Sequence, residues 1–388
     1  MPPFFYIRHN NYMKDYSNYI SIIGAGIGGL ALGNILKKND IPCVIFEKSE
    51  KISEYGAGIS ISPNGLKVLE KLDLDKRFKE LSAQPEYTVF HSNDEIITEI
   101  STNVVTSLRK NLHNILIENY LALDGEILFN HELVDLDLKD KTIYFSNNIK
   151  INVNHIAACD GIRSICQKKL STSNSKPEYS GYSVWRTIMP SDQKKINFHL
   201  GSNFHVVSYP VDKNKISLIA AIKDKNRFNE SWKEKGSLED LFSTIPSSII
   251  DMYPTIKDSN EIYKWGIYIR PKIESLYNNN ITFIGDSAHP IVPFLGQGGC
   301  LALEDAYIFG NLLNKYKNNF NKTQNKYQQV RIKRIKSINK QSLNQAKLNH
   351  LSNPLLIFIR NMLMKHTNVI FNRTKNIWSY DISKIIDL

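Results

Sequence analysis

Tyr19-Ile-Ser-Ile-Ile23-Gly24-Ala25-Gly26-Ile27-Gly28-Gly29 is an apolar run that breaks into glycines, passes into a helical pattern over 27–38, and leads to a second apolar run, Cys43-Val-Ile-Phe-Glu47. A short apolar run, a glycine turn, a 3.6-residue period and another short run read as strand, helix and strand. Each glycine has a steric task. Gly24 permits the tight turn, Gly26 lets the backbone approach a pyrophosphate, and Gly29 allows helix and strand to pack closely. The helix that begins there offers free N–H groups and the positive end of its dipole to an anion. Glu47 ends the second strand about twenty residues on, where a carboxylate accepts hydrogen bonds from ribose hydroxyls. Lys48, directly after it, is a further cofactor candidate. A bare glycine motif is weak evidence, but strand, helix, strand and carboxylate together predict a dinucleotide-binding unit.

Working outward, a helix is predicted over 63–72, strands over 87–90 and 95–100, a helix over 109–123, and short strands over 126–129, 133–138, 142–145 and 155–159. The first lobe is therefore rich in sheet. From 182 to 222 the pattern changes to longer alternating runs, 182–189, 204–209 and 215–221, as in an antiparallel sheet. Ile281-Thr-Phe-Ile284 then runs into Gly285-Asp286, and 299–364 is largely helical. The expected organisation is a doubly wound α/β lobe (19–180, with a return segment 276–320), an inserted antiparallel-sheet substrate lobe (181–275), and a carboxy-terminal helical region (321–388).

With 388 residues, 42% of them hydrophobic, the chain can bury a core large enough for two lobes. Its net charge of +11 comes with lysines spread among Asn and Ile, and no basic run is interleaved with aromatics, so no nucleic-acid partner is expected. Cys43, Cys159, Cys166 and Cys300 match neither a zinc half-site nor a redox CxxC. No apolar stretch reaches the ~18 residues that span a bilayer. A cytoplasmic protein, monomer or homodimer, is expected, with Met13 standing as a second candidate start. His289 beside Asp286 lacks further ligands in its segment, so no metal is expected.

Two later segments separate the cofactor choices. Ala158-Cys159-Asp160-Gly161-Ile162-Arg163-Ser164 and Gly285-Asp286-Ser287-Ala288-His289-Pro290, in this order behind the glycine motif, resemble the class A flavoprotein monooxygenases, the group that includes para-hydroxybenzoate hydroxylase. Within that group, Glu54-Tyr-Gly-Ala-Gly58-Ile and Pro293-Phe-Leu-Gly-Gln297-Gly-Gly are most similar to the salicylate-hydroxylase branch, which includes urate hydroxylase. The resemblance covers about 19–310 and implies bound FAD, a glutathione-reductase type of Rossmann lobe, NADH or NADPH as a transient co-substrate, O2, and hydroxylation of a small aromatic or heteroaromatic molecule through a flavin C4a-hydroperoxide. It implies FAD and nicotinamide contacts for Asp160, ribityl or pyrophosphate contact for Asp286, and an FAD-contacting role for Arg109. It departs at Gln167, where the group usually has arginine; Arg163 is the nearby cation.

Physical chemistry supports several of these placements. A strand ending in Gly-Asp sets a carboxylate at the carboxyl edge of a sheet, where ligands of open α/β sheets bind. Gly296, Gly298 and Gly299 open a long helix, whose N–H groups and dipole favour an anionic ring system. His205 and Tyr209 are four apart in a strand and share a face. The resemblance implies that they, with Gln297, orient and deprotonate a phenol, and histidine suits this because it titrates near neutrality. Arg186, next to Trp185 on a neighbouring strand, is the candidate partner of a substrate carboxylate. The alternative stays open that His205 is a structural histidine and Tyr209 a core aromatic. Also open are a flavin-dependent reductase or dehydrogenase without oxygen transfer and a non-catalytic FAD-binding scaffold. The apolar stretches 355–360 and 370–378 are expected to cap the pocket or pack on the first lobe rather than bind a membrane.

Overall fold

The structure is a computed structural model that describes residues 14–51, 58–170, 176–224, 234–259 and 261–386. Strand Ile20–Ile23, helix Ile27–Lys38 and strand Cys43–Phe46 form the expected opening unit, and both strands are buried throughout because helices cover each face. They lie in a six-stranded sheet ordered Tyr277–Asn278, Ile281–Phe283, His155–Ala158, Ile20–Ile23, Cys43–Phe46 and Ile127–Leu128. Every pairing in it is parallel except that of Tyr277–Asn278. Gly24 has φ +101°, and a Cβ there would lie 2.6 Å from the Cys159 carbonyl oxygen; a Cβ on Gly29 would lie 2.0 Å from that of Gly24. The tight turn and the close helix-to-strand approach thus exclude side chains at both positions.

A seven-stranded sheet forms the second lobe, ordered Tyr263–Ile269, Glu178–Pro190, Lys215–Lys223, Phe204–Pro210, Ile196–Gly201, Tyr87–Ser92 and Glu95–Ser101. Two features differ from the expected organisation. Strands Ile196–Gly201 and Tyr263–Ile269 join the predicted runs, and the hairpin 87–101, placed by sequence in the first lobe, forms the far edge of this sheet. It docks through a parallel pairing of Thr88 with Ile196 and Phe90 with Phe198, so the sheet is mixed rather than wholly antiparallel. Apolar alternation marks the hairpin as a strand pair but cannot say which sheet receives it.

The sheet's two faces are sorted by the two-residue strand period. Trp185, Met189, Val206 and Leu218 pack under the short helices of 238–258. Arg186, His205 and Tyr209 lie on the other face, toward the first lobe. The carboxy-terminal helices are Gly298–Lys315, Phe320–Asn349, Pro354–His366 and Val369–Trp378. Ile377 and Trp378 pack as expected, against Leu301 and the cluster holding Tyr209. Pro354–His366 does not: Arg360 is its buried residue, while Leu355, Phe358 and Leu363 are exposed. No described helix is long and apolar enough to cross a membrane.

A buried charge cluster ties these helices to the first lobe. Arg331 Nη1 donates to Glu304 Oε2 at 2.6 Å and Arg331 Nε to Asp305 Oδ1 at 2.8 Å, all three residues being 0% exposed. Burial opposes ionisation of Asp305, but His289 and Arg331 outweigh it and hold its carboxyl below the ordinary value. A carboxyl depressed in this way stabilises the fold above the unfolded-state value of about 4 and loses that contribution as pH falls through the lower folded value. Replacing Arg331 by Met removes the cation that two buried carboxylates share and leaves Glu304 with Arg334 and Asp305 with His289; breaking a buried pair in this way costs roughly 3–5 kcal/mol. The expected result is a thermal midpoint several degrees lower at pH 7, with the gap to wild type narrowing in acid as Asp305 is protonated. A variant as stable as wild type at pH 7 would show that the cluster does not hold the helices.

Candidate active site

The glycine turn is braced from two sides. Glu47 Oε2 accepts from Ala25 N at 2.8 Å and its Oε1 from Ser49 N at 2.9 Å, while the His113 ring lies 2.6 Å from the Ala25 carbonyl oxygen. Glu47 therefore stands at the carboxyl edge beside the turn, and Lys48 is exposed after it. Gly26 caps the first helix, and a Cβ built on it meets nothing within 4 Å. The helix amino terminus thus faces open space that a side chain at 26 would fill, which fits the approach of a pyrophosphate.

Across the sheet edge, Asp160 Oδ2 accepts from Ile165 N at 2.9 Å and Cys166 N at 3.3 Å. It fixes the start of helix Ile165–Leu170 with one oxygen, and its buried Oδ1 has no partner among the described residues. Burial raises its carboxyl, with Ser164 and the helix N–H groups acting the other way. Arg270 Nη2 donates to the Ile162 carbonyl at 2.7 Å. A buried guanidinium so reaches the motif whose usual arginine is replaced by Gln167, and it comes from 108 residues further along the chain, where no local signal marks it.

Asp286 is exposed within a stretch, 281–292, that is otherwise buried. Protein surrounds it on its other sides, so desolvation raises its carboxyl, and His289, Arg109 and Arg270 pull it back. Arg109, half-buried at the start of helix Arg109–Ala122, is thus brought from a distant element to the same carboxylate. Behind it, Asp305 Oδ2 accepts from Gly285 N at 3.0 Å and from His289 Nε2 at 2.5 Å, so His289 serves to hold the Gly-Asp turn.

The loop before helix Gly298–Lys315 has Gly296 in the left-handed region at φ +62°, and a Cβ on Gly296 or Gly298 would meet nothing within 4 Å. Gly299 is closer packed, 3.3 Å from Ile59 Cδ1. Gln297 is 1% exposed: its Nε2 donates to Ser62 Oγ at 2.8 Å and its Oε1 accepts from Asn64 at 3.0 Å. Asn64 also donates to Glu304 at 2.7 Å. The Gln297 amide is therefore engaged beneath the loop, which it anchors to Ser62 and helix Pro63–Lys71. Of the segment Glu54-Tyr-Gly-Ala-Gly58, residues 54–57 lie outside the described residues; a Cβ on Gly58 would lie 2.6 Å from the Tyr209 hydroxyl.

The strand register sets His205 and Tyr209 on one face, with Arg186 on the same face two strands away. His205, 3% exposed, places Nδ1 2.6 Å from His350 Nε2. Phe294, from the turn Pro293–Leu295, meets the His205 ring edge-on at 4.8 Å and stacks on His350 at 5.7 Å, and Tyr182 closes the group. Burial, reinforced by His350, pushes His205 well below the ordinary histidine value; burial and Lys223 bring His350 to about 4. Both rings are neutral at pH 7. The near-neutral titration for which His205 was singled out is thus removed by its surroundings. His350 itself was not foreseen, because it follows a long helix and only the fold returns it to the sheet. Tyr209 is raised by burial, with Ser217 and Arg186 opposing. Arg186, 4% exposed, lies 4.8 Å over the Trp265 ring.

A chain with this geometry has known relatives. It is similar to 3-amino-4-hydroxybenzoate 2-monooxygenase PtnB3 of Streptomyces platensis, 24% identical over 354 residues that cover 86% of this chain and 88% of that one. It is similar also to 3-hydroxybenzoate 6-hydroxylase of Klebsiella oxytoca, 25% identical with 82% and 85% covered. Among solved structures, Klebsiella pneumoniae HpxO complexed with FAD and uric acid superposes with a TM-score of 0.79 at 19% identity, covering 95% of this chain and 96% of that one. A salicylate hydroxylase substrate complex gives 0.80 at 18%, with 96% and 97% covered. Residues 18–342 match the FAD binding domain family, and the chain belongs to it.

Proposed function

We propose that this protein is an FAD-dependent monooxygenase that takes electrons from NADH or NADPH and hydroxylates a small aromatic acid with O2. The observation that carries the proposal is the single sheet face that holds Arg186, His205 and Tyr209 and that meets, through His205, the turn Pro293–Leu295 leading into the glycine loop 296–299. The relatives named above are monooxygenases and hydroxylases, which favours oxygen transfer over a reductase, a dehydrogenase or a scaffold. FAD, when bound, supplies the redox chemistry that activates oxygen. The four cysteines are all free, which supports a reducing, cytoplasmic setting.

The chain's own residues bind, orient and exclude water. Gly26 and the first helix hold the pyrophosphate, Glu47 the adenosine ribose, and Asp286, with Arg109 beside it, the linking chain. Gln297 is a positioning residue that keeps the glycine loop in place. Arg186 recognises a substrate carboxylate, its guanidinium held over Trp265 in a poorly solvated setting where such a pair is strong. His205 and His350 are a neutral pair that shapes the wall and offers hydrogen bonds without carrying charge.

A screen of hydroxylated benzoates and pyridine carboxylates, together with the same rings lacking the carboxylate, tests the function. Incorporation of labelled oxygen from O2 into product is expected for one or more acids, and at least tenfold less for their uncharged counterparts. NAD(P)H oxidation by the true substrate without labelled product would leave a reductase, and equal turnover of both sets would remove Arg186 from recognition.

Gly26→Val is expected to yield folded protein without FAD, because the branched side chain occupies the approach at the helix terminus. Flavin absorbance of the purified variant decides this, normal FAD content being the contrary result.

His205→Ala is expected to retain FAD while lowering product formed per NAD(P)H, with hydrogen peroxide rising in proportion. Because His205 is held neutral, the hydroxylation rate of wild type should show no histidine ionisation between about pH 6 and 7 that His205→Ala abolishes. An ionisation in that range, absent from the variant, would restore His205 as the general base.

A further inference from the structure

The helix Pro354–His366 is built inside out. Its inward stripe is Ile357, Arg360, Asn361 and Met364, and Arg360 spends its donors on Leu348 O at 3.1 Å, Ser92 Oγ at 3.1 Å and Asn361 Oδ1 at 2.9 Å. Its outward side carries Leu355, Leu356, Phe358, Ile359, Met362 and Leu363, between 42% and 65% exposed. Phe371 on the next helix, 49% exposed, and Ile96 on the hairpin that the helix packs against, 66% exposed, are further exposed apolar side chains. A helix that packs on a water-soluble body turns its apolar stripe inward. Here the packed stripe holds the arginine and the asparagine, so the exposed apolar side chains call for a cover of their own.

Charge identifies that cover. From residue 306 to residue 380 the chain has fourteen lysines and arginines and not one Asp or Glu. The rest of the molecule has 35 basic against 38 acidic residues; within the segment Arg331 and Arg334 are spent on the buried Glu304 and Asp305 and Arg360 is buried beneath the helix, which leaves eleven cations. Lys365 and His366 close the helix, and Lys375 lies exposed on the next one. On the hairpin against which the helix packs, Glu99 is already paired with Lys195 at 2.7 Å. Joining two copies of this surface about a two-fold axis would set cation against cation, with no carboxylate from 306–380 to answer them. An anionic bilayer answers both the apolar and the basic character. The helix has 13 residues, about 20 Å, too short to cross a hydrocarbon core of about 30 Å but suited to lying in the interface.

We propose that helix Pro354–His366, with Val369 and Phe371, docks this enzyme on the surface of an anionic membrane, the apolar side chains entering the boundary between headgroups and acyl chains and the surrounding cations meeting lipid phosphates. This is peripheral attachment, independent of the reaction the enzyme catalyses.

Sedimentation of the full-length, FAD-loaded protein with vesicles tests it. Binding is expected to vesicles of equal parts phosphatidylglycerol and phosphatidylcholine, to weaken at least about tenfold on phosphatidylcholine alone, and to be reversed by high salt. The triple variant Leu355→Gln, Phe358→Gln, Leu363→Gln should retain FAD and bind the anionic vesicles at least about tenfold less tightly. The double variant Lys365→Glu, Lys375→Glu should lose affinity for the anionic vesicles and little for the neutral ones. The proposal is overturned if the wild type stays in the supernatant with anionic vesicles, or if the triple variant binds them unchanged. It is equally overturned if the wild type is a dimer by light scattering that the triple variant turns into a monomer, since a second copy would then be the cover.

Discussion

Asp305 accepts hydrogen bonds from three directions, and the arrangement of the elements around the Gly-Asp turn depends on that fact. Gly285 N, His289 and Arg331 all converge on one buried carboxylate. The turn that presents Asp286, the long helix Phe320–Asn349 and the helix behind the glycine loop are thereby fixed to one another. Burying such charges is costly unless every partner is present. Glu304 supplies the second anion for Arg331 and links onward through Asn64 to Gln297. Disturbing the ion cluster therefore disturbs the anchoring of the glycine loop 296–299.

The sheet face that meets the turn Pro293–Leu295 is, among its described site residues, neutral except at one point. His205, His350 and Tyr209 are all kept in their neutral forms by burial. Arg186 is the exception, a guanidinium set over an indole ring. A guanidinium in such a setting suits the recognition of an acid proposed above. Preorganised groups of this kind act without the reorganisation that water would require.

The elements of the flavin lobe were legible because their signals are local. A strand, a glycine turn and a helix within twenty residues constrain each other sterically, and Gly24 and Gly29 stand where a side chain would clash with backbone. The alternation of 204–209 likewise placed His205 and Tyr209 on one face. What escaped was everything brought together by long-range closure. Arg270 at the Asp160 motif, His113 under Ala25 and His350 beside His205 sit in segments whose own sequence is unremarkable for a site. The hairpin 87–101 was read correctly as strands and given to the wrong lobe, since pairing partners are not encoded in strand periodicity. Gln297 was found by motif, but its bonds to Ser62 and Asn64 beneath the loop join elements that the motif does not link.

The order of strands in the first sheet has a consequence for synthesis of the chain. Ile20–Ile23 lies between Cys43–Phe46, its close neighbour in sequence, and His155–Ala158, which in turn awaits Ile281–Phe283. A ribosome that has delivered the first two hundred residues has released the glycine turn but not the strand that closes the sheet, nor Asp305 or Arg331. The apolar edge of the unfinished sheet is then open to water and to other chains while the second lobe is being made. Such non-local closure is slow, and folding is completed only near the end of translation. Protein yield in a cell should accordingly respond to chaperone supply and to FAD availability at that late stage, because the cofactor binds only the closed form and draws the chain toward it.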